Sequence, residues 1–150
     1  MHIRADRDDL ADAFSRASRA VGARAALPIL SGVRCEVRGS RLEVTGTDLD
    51  TTIRTTCEVE AMEEGAVVVP AKLVTEAIRK MPTGVVSLRS DGQELEITGR
   101  GPRFAIRELP VDEFPDVPEP GLEHAVEVDG AALADAIKQV TVAASVDSAR

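Results

Sequence analysis

The sequence predicts an α+β fold in which a βαβββ unit occurs twice and two helices pack on antiparallel sheets. Two helical segments have apolar residues at intervals of three and four, and several short runs between them alternate apolar and polar residues as strands do. An internal repeat is the third observation, because residues 42–54 (LEVTGTDLDTTIR) align without a gap to residues 95–107 (LEITGRGPRFAIR). At 150 residues and 43% hydrophobic content, the chain can bury one sizeable core. We therefore predict that residues 1–110 form one domain of two similar halves.

The first half is predicted to contain a strand, a helix and three further strands. Alternation at residues 33–37 and 42–44, across a Gly39-Ser40 turn, predicts a hairpin, and TTIRTTCEVE at 51–60 predicts the next strand. The acidic EEG that follows is interpreted as a turn. A helix is predicted over residues 8–21, and its inward face is formed by Leu10, Ala13, Phe14, Ala17 and Val21.

The second half repeats this order. VVVPAKLVTEAIRKMP begins like a strand and continues as a helix that Pro82 ends. Three strands follow at VVSLRS, ELEITG and RFAIREL, separated by an Asp91-Gly92 turn and by a GRGP turn. The second helix is predicted to turn Leu73, Val74, Ala77, Ile78 and Met81 towards the core.

The composition changes after residue 110. VDEFPDVPEP at 111–120 has three prolines and four acids, which predicts an extended linker. Residues 121–150 then begin a second domain with a strand at HAVEVDG and a helix at ALADAIKQVTVAA, whose frame resembles DLADAFSRA at 9–17. Because this second copy is incomplete and a lone helix is marginal in water, we expect it to be frayed or packed against a neighbour. Function is expected to require more chain, and whether the native chain ends at Arg150 stays open.

Charge and cysteine content exclude some classes of protein. A net charge of -8 argues against nucleic acid as a partner when only the total is considered, but binding depends on where the cations lie. Cys35 and Cys57 form no CxxC or Cys/His cluster, so neither a disulfide framework nor a metal site is predicted. No signal peptide and no apolar stretch of membrane-spanning length is present, which predicts a cytoplasmic protein without membrane contact.

Basic residues lie opposite the apolar stripes of the two predicted helices. They are Arg16 and Arg19 on the first helix and Lys72 and Arg79 on the second, and Lys80 follows as a further candidate contact. The simpler explanation is that cations near helix C-termini favour the helix dipole and that polar residues belong on a solvated face. The alternative is that both helices lie side by side and offer one basic surface to a polyanion. No aromatic residue accompanies these cations, so contacts would be with phosphates and independent of base sequence.

No catalytic constellation is found. His2 and His124 have no nearby Cys or Ser partner, and Asp48 and Asp50 in GTDLD are explained by turn geometry. The glycines of GRGP lack the Lys-Ser/Thr of a phosphate loop. The sequence therefore predicts no enzyme and no cofactor, although an enzyme with an unrecognised small-molecule site stays open as a third hypothesis.

Taken together, a set of motifs resembles the bacterial DNA polymerase III beta subunit, the sliding clamp family. The resemblance spans all 150 residues and implies the DNA-clamp fold. In that family, three domains of doubled βαβββ units follow one another, and two chains close head to tail into a ring around duplex DNA. The motifs are LPIL at 27–30, LEVTGTDLD at 42–50, VVVPAK at 67–72, PRFAI at 102–106 and LP…DEFPD at 109–116.

The resemblance also implies particular functional residues. Arg24 and Lys72 resemble DNA contacts of the family, and the run with Arg103, Phe104 and Ile106 resembles the edge that pairs with the partner chain. Asp147 stands about where the family has a polar DNA contact. The cleft for polymerase and clamp-loader peptides lies between two later domains in the family, which this chain does not contain.

Two functions are therefore expected. The first is a subunit of a DNA sliding clamp, a non-catalytic processivity factor for the replicative DNA polymerase, which is homodimeric in the full-length family and is loaded by a clamp loader. The alternative is a truncated clamp-like interaction module, which would pair its edge strand with a full-length clamp and modulate ring closure.

Overall fold

The computed structural model describes residues 1–22, 27–118 and 125–144, and the chain forms two compact units, Met1–Val117 and Pro118–Arg150. Short 3-10 turns at Ser18–Ala20, Pro28–Ser31 and Val111–Glu113 separate the main elements. The helices are α1 (Arg7–Ala17), α2 (Ala71–Lys80) and α3 (Gly130–Thr141). The strands are β1 (His2–Asp6), β2 (Gly32–Arg38), β3 (Arg41–Thr47), β4 (Thr52–Glu58), β5 (Glu60–Glu63), β6 (Gly65–Pro70), β7 (Val85–Ser90), β8 (Glu94–Thr98) and β9 (Phe104–Arg107).

The first unit has the predicted α+β architecture, with two antiparallel sheets and an exchange of strands between the halves. One sheet has the order β5-β1-β7-β8-β9 and the other has the order β4-β3-β2-β6. Strand β1 of the first half therefore pairs with β7 of the second half, and β6 of the second half pairs with β2 of the first. Each half completes the sheet of the other, so the repeat in the sequence folds as one domain.

Helix α1 begins and ends at identifiable hydrogen bonds. The Asp6 carboxylate accepts a hydrogen bond from the Asp8 backbone N–H at 2.7 Å, which caps the N-terminus. The helix ends at Ala17, four residues before the predicted end, and a 3-10 turn follows. The Ser18 hydroxyl donates to the Phe14 carbonyl oxygen at 2.7 Å in this last turn. The predicted apolar face from Leu10 to Ala17 is buried.

Strand β5 is an element that the sequence did not predict, and the predicted EEG turn falls at Glu64, between β5 and β6. The strand predicted at 51–60 is interrupted at Val59. This residue is buried, and its backbone N–H donates to the Ser40 carbonyl oxygen. The chain passes there from one sheet to the other, and β5 pairs with β1 with Ala61 opposite Ile3. Because β5 is a short edge strand with exposed glutamates, it lacks the alternating pattern by which inner strands are predicted.

Helix α2 corrects one predicted core residue. Val74, Ala77, Ile78 and Met81 are buried as expected, but the Leu73 side chain is 54% exposed. At 100° per residue, Leu73 lies roughly 140° around the helix axis from Ile78, so the two side chains cannot share a buried face.

The predicted linker over residues 111–120 is wrong for its first part, which packs on the first unit. Phe114 is 5% exposed and forms a second apolar cluster. The Leu109 backbone N–H donates to the Val68 carbonyl oxygen at 2.7 Å, which ties this segment to β6. The compact unit accordingly ends at Val117 and not at residue 110. The cluster around Phe114 consists of Ile29, Leu30 and Val68, with Leu109 and Val111 packed against it.

The second unit contains the predicted helix. The Asp129 carboxylate caps α3 by accepting from the Ala132 backbone N–H at 2.8 Å. Residues 125–129 form no strand, in contrast to the predicted strand at HAVEVDG, and His124 lies outside the described residues. A strand requires a partner, and no described residue pairs with 125–129. Within the described residues, no helix is long and apolar enough to span a membrane. The apolar face of α3 is exposed at Leu133, Ile137 and Val140.

Candidate nucleic-acid interface and sheet edges

Helices α1 and α2 lie side by side, which the sequence left as one of two alternatives. The Ser18 and Thr75 hydroxyls are hydrogen-bonded at 3.0 Å, and Arg79 Nη2 donates to Ser15 Oγ at 2.8 Å. Ser15 in α1 contacts Arg79 near the end of α2, and Ser18 just after α1 contacts Thr75 earlier in α2. The two helices are therefore antiparallel. Their outward faces form one continuous surface, which we call the helix-pair surface.

All five cations predicted for this surface are exposed. Arg16 forms an ion pair with Asp12 at 2.9 Å, and both side chains are about 60% exposed. Arg19, Lys72 and Lys80 form no ion pair with any described residue. The candidate DNA contact Arg24 lies outside the described residues, and so does Asp147, the acid at the position of a polar DNA contact of the family.

The antiparallel packing distributes these charges unevenly along the helix-pair surface. The end of α1 lies beside the beginning of α2, so Arg19, just after α1, and Lys72 belong to the same end of the surface. Asp8 and Asp9 lie at the opposite end of α1, beyond the contact between Ser15 and Arg79. One end of the surface is therefore basic, and the acids of α1 are kept away from it.

Lys72 is the cation of this surface that the helix dipole does not explain. The helix dipole explains cations in a last turn, where Arg79 and Lys80 lie, because that end carries partial negative charge. Lys72 is the second residue of α2, where the dipole carries partial positive charge and disfavours a cation. Neither the dipole nor an ion pair with a described residue accounts for a lysine at this position.

Strand β9 is the outer strand of the five-stranded sheet, where the sequence placed the candidate subunit edge. Arg103, just before β9, forms an ion pair with Glu96 at 2.7 Å, and Phe104 is half-buried. Ile106 is 7% exposed and packs in the main core, so this position offers backbone and not its side chain at the edge.

Sequence reasoning missed two features of these edges. The exposed Leu73 lies on the flank of α2 away from Thr75, which contacts α1, and α2 packs beside β9. A leucine that the sequence predicts in the core therefore lies exposed on the flank of α2 away from α1. The second feature is β4, which is the outer strand of the four-stranded sheet and gives the unit another open edge.

The remaining chemistry-bearing residues have structural explanations. Burial raises the pKa of the Cys35 thiol far above its ordinary value and raises that of Cys57 to about 11, so both are protonated at neutral pH. Asp48 Oδ1 accepts from the backbone N–H groups of Asp50 and Thr51, as its predicted turn role requires. No group of three or more His, Cys, Asp or Glu side chains within the described residues could hold a metal ion.

The duplicated α+β domain, with its antiparallel helix pair and open sheet edges, defines the class of DNA-clamp domains. The family model of the DNA polymerase III beta subunit, N-terminal domain, matches residues 1–118. The chain therefore belongs to the DNA polymerase III beta subunit family, the sliding clamps.

Curated relatives and solved structures agree with this assignment. The beta sliding clamp of Micrococcus luteus is 35% identical over 147 residues, covering 98% of this chain and 47% of that protein. The beta sliding clamp of Streptomyces coelicolor is 33% identical, covering 98% of this chain and 39% of that protein. The structure of Caulobacter crescentus pol III beta superposes with a TM-score of 0.89 at 32% identity over 99% of this chain and 40% of that one. This chain thus spans less than half the length of these relatives.

Proposed function

We propose that this chain is part of a DNA sliding clamp subunit that serves DNA replication by holding duplex DNA for the replicative polymerase. The single observation that carries the proposal is Lys72, a cation without an ion-pair partner among the described residues at the unfavourable end of α2. A DNA phosphate would supply the missing negative charge. The relatives named beta sliding clamp support the same function.

In this proposal the helix-pair surface faces DNA and contacts only phosphates. Exposed Lys and Arg side chains release counterions from the duplex and bind it without reading base edges. The chain contains no Trp or Tyr, and Phe14 and Phe114 are buried, which is consistent with binding without base stacking. The contacting residues proposed are Arg16, Arg19, Arg24, Lys72, Arg79 and Lys80.

The proposed role is mechanical and non-catalytic. A ring would hold DNA topologically, so a few weak phosphate contacts suffice and the clamp can slide while it keeps the polymerase at a high effective concentration. The duplex, the replicative polymerase, the clamp loader and a second clamp chain are the proposed partners, and the cytoplasm is the proposed location. The open β9 edge, with Arg103, Phe104 and the backbone at Ile106, is proposed to pair with the partner chain.

The test of the DNA surface is a double neutralisation, Arg24→Gln with Lys72→Gln. Anisotropy of a short fluorescent duplex, titrated with the 150-residue chain at several salt concentrations, should show weak, sequence-independent binding. The slope of log K against log salt should fall by about 0.9 for each lost contact, or about 1.8 in all. Arg41→Gln is the matched control. Arg41 is exposed at the start of β3, in the four-stranded sheet and not on the helix pair, and it forms no ion pair with a described residue. Unchanged binding of the double variant at low salt would refute this surface.

A second candidate function is a module that docks on a full-length clamp and modulates ring closure. It is favoured by the open β9 edge and by the exposed Leu73 on the flank of α2 away from α1. Native mass spectrometry of this chain mixed with the Micrococcus luteus clamp should detect a mixed complex, and Leu73→Lys should weaken it without unfolding the domain. Absence of any mixed complex would exclude this role.

A further inference from the structure

A groove crosses the outward face of the five-stranded sheet, on a surface separate from the helix pair. Strand register places Arg4 of β1 opposite Ser87 of β7, and Ser87 opposite Thr98 of β8. The three side chains therefore form a row, because paired residues on adjacent strands project from the same face about 5 Å apart. Their sequence neighbours on the other face, among them Ile3 and Val86, are buried in the core.

Two turns bound this row of side chains. Thr83 and Gly84 precede β7, and Gly99 and Arg100 follow β8. Gly84 contributes no side chain, and a Cβ built on it would meet no atom within 4 Å. The result is an open groove of about 600 Å³ with Arg4 and Arg100 among its lining residues.

The two arginines of the groove keep their guanidinium groups out of ion pairs with the described residues. Neither forms an ion pair in the part of the chain that the structure describes. Nearby acids have other roles: the Asp6 carboxylate caps α1, and Glu96 pairs with Arg103 at 2.7 Å. Glu60, opposite Arg4 on β5, projects from the same face as Arg4 but forms no ion pair with it and does not line the groove.

Hydroxyl groups between the arginines complete a set of donors. Ser87 Oγ lies 3.2 Å from His2 Nε2 and, when the ring N–H donates to it, can direct its own proton into the groove. Thr98 adds a second hydroxyl from the adjacent strand. Two guanidinium groups and two hydroxyls match the several oxygens and the charge of a phosphate group better than a single carboxylate, which has only two oxygens.

We propose that this groove binds a phosphate group, as the free ion or as the end of a compact phosphate ester or diphosphate. Arg4 and Arg100 provide the charge, and Ser87 and Thr98 orient the oxygens. The groove lies between two turns of one sheet face, so its ligand is a compact oxyanion. The inference goes beyond the clamp function and does not depend on DNA binding.

The test is a titration of the 150-residue chain with inorganic phosphate and, separately, with diphosphate at constant ionic strength, followed by amide NMR shifts. Saturable shifts are expected at the backbone amides of Gly84, Ser87, Thr98, Gly99 and Arg100. A stronger response to diphosphate would assign a phosphate ester or diphosphate as the ligand, and an equal response would assign the free ion.

Variants decide whether the groove itself binds. Arg4→Gln and Arg100→Gln should each weaken binding about tenfold, as expected for loss of one charge-assisted hydrogen bond, because both side chains are exposed and neither supports the core. Arg41→Gln, an exposed arginine on the other sheet, should bind as the parent chain does. The proposal is overturned if shifts do not saturate, if Arg41→Gln weakens binding equally, or if the shifts occur on α1 and α2 instead.

Discussion

Lys72 is the residue at which stability and the proposed function make opposite demands. It occupies the first turn of α2, where the dipole favours an acid, and no described residue forms an ion pair with it. A lysine at this position is therefore a small cost to the free domain and a benefit only when a polyanion is bound. If this position served only to face solvent, a residue that the helix dipole favours would be expected there.

Lys72→Glu should accordingly stabilise the domain while it weakens DNA binding. Replacing a cation by an acid at the helix N-terminus should raise the free energy of unfolding by about 1 kcal/mol at low salt, and the new like-charge pair with Glu76, four residues on, should offset about 0.2–0.5 kcal/mol of it. Urea denaturation followed by circular dichroism measures the gain, and duplex anisotropy measures the loss. Lys80→Glu is the control, because the same change in the last turn of α2 should destabilise the domain. A destabilised Lys72→Glu variant would contradict this account of Lys72.

Gly46 is required because α1 and β3 approach each other closely. A Cβ at this position would lie 2.9 Å from the carbonyl carbon of Ala17 and would collide with its oxygen. Gly46→Ala should therefore lower the free energy of unfolding by about 1–3 kcal/mol or more, as overpacking does. Gly22→Ala is the matched control, since its Cβ would meet only the Asp48 Cβ at an ordinary 3.8 Å. Equal denaturation midpoints for the two variants would contradict this prediction, because they would show that α1 moves away from the added Cβ at no cost in stability.

Which residues were predictable depended on whether their role was local. Phe14 and Ile78 lie at helical spacing from other apolar residues and are buried as predicted. Leu73 is also apolar, but its angle around the helix axis lies outside the buried face, and its side chain is exposed. That Arg19 and Lys72 belong to the same end of the helix-pair surface depends on packing between Ser18 and Thr75, which are 57 positions apart, and no short pattern contains it. The phosphate groove likewise arises from register between β1 and β7, which lie far apart in the sequence.

At the scale of elements, strands and helices were predictable where their periodicity was undisturbed. The internal repeat predicted the four strands and the helix that belong to each half. Strand β5 is not predictable by alternation because it is a short edge strand of four residues, two of them glutamates. The segment after residue 110 has the composition of a linker because it contains many prolines and acids and only one large apolar ring, that of Phe114. In both cases most side chains are exposed, and the composition indicates this. The tertiary contact is made by the backbone of β5, which pairs with β1, and by the single side chain of Phe114.

Phe114 should be the anchor of the segment from Leu109 to Val117. Phe114→Ala removes a buried ring from the cluster with Ile29 and Leu30, which should cost about 3 kcal/mol locally, because a cavity forms or the segment detaches. Limited proteolysis should then cut within residues 110–117 while the remaining domain stays folded. Phe104→Ala, at a half-buried edge position, should leave that segment protected. Unchanged protection in Phe114→Ala would show that the hydrogen bond between Leu109 and Val68 is sufficient.

At the scale of the whole molecule, the strand exchange should make the first unit fold cooperatively. Because β1 belongs to the sheet of the second half and β6 to that of the first, neither half contains a complete sheet or a covered core. Residues 1–64 and residues 65–117, prepared as separate fragments, should each lack stable structure by circular dichroism. Residues 1–117, as the matched control, should unfold in a single two-state transition, with coincident curves from secondary-structure and core-packing probes.

Mixing the two fragments extends this prediction. If each half supplies a strand that the other needs, an equimolar mixture should recover sheet structure in a concentration-dependent way, since folding and association become one step. Gly46→Ala in the first fragment should weaken recovery, because the contact between α1 and β3 persists in the complex. A fragment that folds alone would mean that a half-domain is an independent unit, and the exchange of β1 and β6 would then be a late docking step and not the origin of the fold.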